Sequence, residues 1–132
     1  MEQLVLTMSD VRFPAMRREV VRALASLADI DYQRRAWVGG EFSEPTVYED
    51  LTMNINVLFD DTQVLPDPTQ RLGTVLFAGD EVPAPAALGA LLDEVLDRLG
   101  TAGADVYIDD HEWPEVARRA SMALAAMVRR GD

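Results

Sequence analysis

Residues 109–112, Asp109-Asp110-His111-Glu112, set three carboxylates beside the chain's one histidine, and Asp60-Asp61 adds a second acidic pair. These residue types suit metal binding and proton transfer: hard cations want several converging oxygens, and transition metals accept imidazole beside carboxylate. The spacing argues against convergence. Adjacent side chains on a helix or strand point in different directions, no calcium-loop spacing with its glycine is present, and there is no second histidine. No metal and no cofactor is therefore expected, and residues 109–112 read as an acidic lead-in to a helix N-terminus, where negative charge is favourable. Carboxylate-pair catalysis needs two acids in contrasting environments. With seventeen acids between residues 36 and 117, some pair must arise by number alone. Ser9, Ser26, Ser43 and Ser121 lie in no Gly-x-Ser-x-Gly turn, and neither Gly39-Gly40 nor Gly100 with Gly103 has the spacing of a phosphate loop. No catalytic residue is assigned.

The composition removes further chemistries. The chain has no cysteine, so disulfides, thiolate metal sites and cysteine nucleophiles are absent. All twelve basic residues are arginine, which excludes a Schiff-base or P-loop lysine. The net charge of −11 is unevenly spread: residues 36–117 carry two arginines against seventeen acids, while both ends are balanced or basic. Such a field repels phosphate backbones, so no nucleic acid is expected. No apolar run approaches the length of a membrane span, and the start lacks the basic region and apolar stretch of a signal peptide, so the expectation is no membrane and a cytoplasmic protein. The acidic middle suits a basic protein partner instead, with Asp60, Asp61, Asp67, Asp109 and Asp110 as candidate docking charges and Trp37 as candidate aromatic anchor. Trp113 reads as a core residue at a helix start.

These residues need a scaffold, and the apolar spacing predicts a helical one. Pro14 suits a first helical position, and Met16, Val20, Val21, Leu24, Leu27 and Ala28 recur at helical spacing with Arg17, Arg18 and Arg22 on the other face. Leu88, Leu91, Leu92, Val95, Leu96 and Leu99 predict a second long helix from about Pro85 to a stop at Gly100, with Glu94 and Arg98 one turn apart in the favourable orientation. A third opens at Trp113-Pro114-Glu115, carries Val116, Ala120, Leu124, Met127 and Val128 inward, and ends on Arg129-Arg130. Between these, residues 32–38 suit two helical turns capped by Asp31 and stopped by Gly39-Gly40. Thr46-Val47-Tyr48-Glu49 matches a capping box, but Met53, Ile55, Val57 and Phe59 also alternate as a strand would. Asp67-Pro68 reads as a cap. Residues 74–77 fit a short helix or a buried strand, and residues 101–112 read as a loop or short turn. The expected fold is mostly α, a compact single domain of about five to seven helices, with an α+β arrangement as the alternative if residues 53–59 and 74–77 pair. Residues 1–7 are expected to be an N-terminal extension, with Met8 as a plausible start, and residues 8–132 the globular domain.

Four phrases taken together carry a resemblance: residues 8–21, MSDVRFPAMRREVV; 32–38, YQRRAWV; 58–68, LFDDTQVLPDP; and Trp113-Pro114-Glu115-Val116. The chain resembles a family of short, acidic, uncharacterised actinobacterial proteins, over nearly everything from Met8 onward. The resemblance implies a source and a length and assigns no activity. In size and acidity the chain is also similar to immunity proteins that neutralise bacterial toxins. The functional expectation is a non-enzymatic acidic protein-binding module, regulatory or toxin-neutralising. A small metal-dependent or carboxylate-based enzyme, and a structural or oligomeric subunit of unstated oligomeric state, are the alternatives.

Overall fold

The computed structural model describes residues 11–42 and 49–128. Residues 1–7, residues 46–48 of the capping box and residues 129–130 lie outside the described residues. Within them the chain forms six α-helices and no strand: α1 (Pro14–Ala28); α2 (Ile30–Gln33), which widens into a π turn (Arg34–Val38); α3 (Leu51–Asn56), which ends in a second π turn (Val57–Asp61); α4 (Pro83–Leu99); α5 (Ala104–Asp109); and α6 (Trp113–Val128). A 3-10 turn (Pro68–Arg71) lies between α3 and α4. None of these helices is long and apolar enough to cross a membrane.

The core forms around α6, which packs against both α1 and α4. Its inward stripe is Trp113, Val116, Ala120, Ala123 and Met127. Alanine is the best helix former and its small side chain admits a close neighbour, so this stripe allows two helices to approach one. α1 contributes Val20, Ala23, Leu24 and Leu27, and α4 contributes Leu88, Leu91, Leu92 and Val95. Leu96 and Leu124 pack at the edge of the core, half-buried. Val128 was expected inside and is 47 % exposed, because it lies one position beyond Met127 at the margin of the stripe. α4 begins at Pro83, slightly earlier than expected, and stops where Gly100 takes φ +56 and its N–H bonds the Leu96 carbonyl at 2.8 Å.

Several local expectations are corrected. Asp29, not Asp31, caps α2, accepting the Tyr32 N–H at 3.0 Å. α3 starts at Leu51 with Asp50 as its cap, accepting the Met53 N–H at 2.8 Å. Residues 53–59 are helical, and residues 101–112 include the helix α5, which buries Tyr107 and Ile108. Val75 and Leu76 are fully buried without forming a strand: the N–H groups of Thr74, Val75 and Leu76 all turn back to the Arg71 carbonyl, leaving one isolated bridge between Leu72 and Leu76. Arg17 was placed on the solvent face of α1 and is instead 4 % exposed. Its guanidinium donates to both oxygens of the buried Glu81 at 2.7 and 2.8 Å and to the carbonyls of Val75 and Met127, and it lies over the Phe77 ring. Glu81 also accepts the Phe77 N–H. One ion pair thus fastens α1, the loop before α4 and the end of α6.

Candidate functional site

α1, α2 and α3 enclose a cleft of about 660 Å³. One wall is the α1 face bearing Glu19, Arg22, Ala23, Ala25 and Ser26; the other comes from Glu49, Met53, Asn54 and Val57, and α2 adds Tyr32. Glu19, Arg22, Ala23 and Ser26 recur at three- and four-residue steps, as do Met53 and Val57, so each helix presents one ridge to the cleft.

Glu49 is the polar node of this site. Its carboxylate accepts hydrogen bonds from Ser26 Oγ at 2.8 Å, Asn54 Nδ2 at 2.9 and 3.2 Å, and Trp37 Nε1 at 3.3 Å. The donors come from three helices, so the carboxylate ties them together. Tyr32 titrates against the same group: burial, then the Glu49 charge and a hydrogen bond to it, then Asp29, push the phenol up to about 12. A carboxylate has about four lone-pair positions, and these donors occupy Glu49 thoroughly. Its hydrogen-bonding capacity is spent on anchoring the wall. Tyr32, protonated at neutral pH with its hydroxyl hydrogen-bonded to Glu49, offers an aromatic face, not a nucleophile.

Of the two π turns, the second lines the cleft through Val57 and the first reaches it only through Trp37 bonded to Glu49. The first carries Trp37 to Glu49, its ring meeting Tyr32 edge-on with centroids 6.5 Å apart; the second opens with Val57. Single π turns widen a helix locally and recur at functional sites.

A family model matches residues 11–132, spanning all six helices. The chain belongs to that family, a domain of unknown function (DUF7945). No curated protein and no solved structure matches it.

The DUF7945 domain separates the candidate residues. Trp37 is half-buried and bonded to Glu49. Asp60 and Asp61 are exposed in the second π turn, three and four residues beyond Val57, the last α3-side residue that lines the cleft. Asp67 caps the 3-10 turn, accepting from Thr69 N at 3.1 Å and Thr69 Oγ1 at 2.6 Å. Asp109 is exposed and paired with Arg34 at 2.9 Å. Asp110 receives both ends of the Arg98 guanidinium at 2.5 and 3.0 Å, and that hydrogen bonding, above all, holds its carboxyl down at about 2. Arg98 also donates to Glu112, in preference to Glu94 on its own helix. His111 is 80 % exposed, with its Nδ1 3.8 Å from an Asp110 carboxylate oxygen. Asp109 thus turns to Arg34 while Asp110 and Glu112 share Arg98, and among the described residues no three histidine, aspartate or glutamate side chains are grouped to hold a metal. Ser26, Tyr32, Glu49 and Asn54 went unrecognised as a group. The legible signal was Asn54, an amide on the Leu51 and Leu58 face of a helix, which must find partners when buried.

Proposed function

We propose that the DUF7945 domain is a non-enzymatic binding module whose acidic surface docks a basic protein partner. The observation supporting this is how its charges are distributed. Arg17, Arg34, Arg98, Arg118 and Arg119 are engaged with carboxylates of the same chain, while Asp60, Asp61, Asp93, Glu94 and Asp97 are exposed. Asp93, Glu94 and Asp97 occupy the C-terminal half of α4, where negative charge opposes the helix dipole. Helix stability does not favour that placement, whereas attraction of a cationic partner does. A cytoplasmic setting and an actinobacterial source belong to the same reading, on the lack of cysteine and on the sequence resemblance.

The test is association with a labelled arginine-rich peptide, followed by stopped flow from about 0.01 M to about 0.15 M salt, which shortens the Debye length from about 30 to about 8 Å. Saturable binding whose on-rate falls at least tenfold across that range is expected. Asp60→Asn with Asp61→Asn, and separately Asp93→Asn with Asp97→Asn, should slow it unequally. Equal slowing by both pairs would make the acids a solubilising field with no docking face.

A further inference from the structure

We propose that the cleft between α1 and α3 receives an amphipathic basic segment of the partner. An aliphatic side chain would pack on Ala23, Met53 and Val57, and an arginine or lysine about one helical turn away would meet Glu19 and Asp61. This inference rests on the binding-module reading and adds to it the place and the chemistry of the contact.

The cleft has the size and the surface for such an occupant. Its volume of about 660 Å³ exceeds what one side chain fills, and pockets of this order take a few converging groups. Its floor is apolar: Ala23 is buried, Val57 half-buried, and Met53 remains 43 % exposed. Helix-in-groove recognition uses this arrangement, with apolar anchors one turn apart set into a trough between two helices. Methionine at such a surface adapts to differently shaped aliphatic partners.

Charge selects the occupant. The lining carries two carboxylates, Glu19 and Glu49, against one guanidinium, Arg22, and the exposed Asp60 and Asp61 lie in the π turn that begins at the lining residue Val57, in a chain of net charge −11. Glu49 has its acceptor positions taken by Ser26, Trp37 and Asn54, so it supplies negative potential without a direct bond. Glu19, Asp60 and Asp61 are exposed and available for contact. Arg22, three residues from Glu19 on the same face, opposes a cation, which gives the proposal a test of sign.

The probe is a designed amphipathic peptide of leucine and arginine, about 18 residues or five helical turns long, with a glutamate-for-arginine counterpart and a scrambled-order peptide as controls. Its affinity is measured by fluorescence anisotropy, and its footprint by amide chemical shifts on the isotope-labelled domain. Expected are shifts concentrated on residues 19–26 and 53–61, about tenfold weaker binding for Glu19→Lys and for Met53→Asp, and severalfold tighter binding for Arg22→Gln. Asp93→Lys, with the same charge change as Glu19→Lys but on α4, should weaken binding only about twofold. If Glu19→Lys and Asp93→Lys weaken it equally, or the shifts fall on α4, the cleft is not the site although binding to a basic partner stands. Absence of saturable binding overturns both readings. Tighter binding of the glutamate peptide, with loss on Arg22→Gln, would make the cleft an anion site. Self-association of the domain that shifts the same amides would make the occupant a second copy, and either result overturns the proposal.

Discussion

Glu81→Leu should destabilise the domain far more than loss of a loop residue ordinarily does. In the native structure Glu81 is 1 % exposed and accepts three hydrogen bonds, two from Arg17 and one from the Phe77 N–H. Leucine fills much of the volume and accepts none of them. It takes from a guanidinium 4 % exposed the carboxylate that the guanidinium grips at two points, while the carbonyls of Val75 and Met127 and the Phe77 ring stay in place. Breaking a buried pair in this way costs about 3–5 kcal/mol, against a total of about 5–15 kcal/mol for a domain. At roughly 3–4 °C per kcal/mol for a chain of this size, Tm should fall by about 10–20 °C. Urea unfolding followed by tryptophan fluorescence measures it, since Trp113 is fully buried. The double variant Arg17→Met with Glu81→Leu removes both charges and should recover at least about 2 kcal/mol relative to the sum of the single changes. A cost below about 1 kcal/mol for Glu81→Leu, or strict additivity in the cycle, would refute the claim that the pair fastens the core.

Gln33→Leu should cost about 2–3 kcal/mol in the same assay, because it leaves the buried Trp113 indole N–H and the carbonyls of Ser26 and Leu27 without the amide that joins them. Leu92→Ala should cost about 2–5 kcal/mol, whereas Val128→Ala should stay within about 0.5 kcal/mol because that side chain is half in solvent. Asp110 and Glu115 are both held down to about 2 by arginine hydrogen bonds. Their contribution is thus complete above the ordinary carboxylate range and is lost as pH falls from about 4 through about 2, and Arg98→Met should flatten the Asp110 part of the urea midpoint–pH curve. Tyr32 has the opposite sign, its contribution being lost as pH rises from 10 through about 12, and Glu49→Gln should move its phenolate absorbance titration part of the way back, burial being the larger cause.

The long helices were legible because a stripe of leucine, valine and alanine over several turns has one periodic interpretation, and proline and glycine mark where it starts and stops. The short elements lacked that redundancy. Residues 53–59 alternate apolar and polar as a strand would, but Asp50 caps a helix there and Asn54 uses its side chain to bond the Asp50 carbonyl and the Glu49 carboxylate. α5 buries only Tyr107 and Ile108, too few residues for a period to emerge. Arg17 was unreadable for another reason: on a helix wheel an arginine counts as polar, and only Glu81, far away in sequence, reverses that assignment. The cleft was hidden likewise. Ser26, Tyr32, Glu49 and Asn54 form no motif in order, and they become a site only when the packing of α1 against α3 brings Ser26 to Glu49.

Use of arginine as the only cation follows from where these side chains act. Arg17 grips Glu81 with two parallel N–H bonds, Arg98 grips Asp110 in the same way while a third bond reaches Glu112, and Arg119 bridges Glu115 and the Ala87 carbonyl of α4. Each task needs several donors in a fixed plane, which a lysine ammonium does not provide. The forks join residues far apart in the chain: α1 to the loop before α4, α4 to the lead-in of α6, and α6 back to α4. Each consumes one or two acids and neutralises them within the fold. Because the acids outnumber the arginines, 23 to 12, the remainder are not neutralised by arginine within the fold; Glu19 lines the trough between α1 and α3, and the exposed Asp60 and Asp61 follow Val57 in the chain. The charge imbalance of the chain therefore leaves unneutralised acids beside an apolar cleft, and that coincidence gives the basic-segment proposal its physical basis.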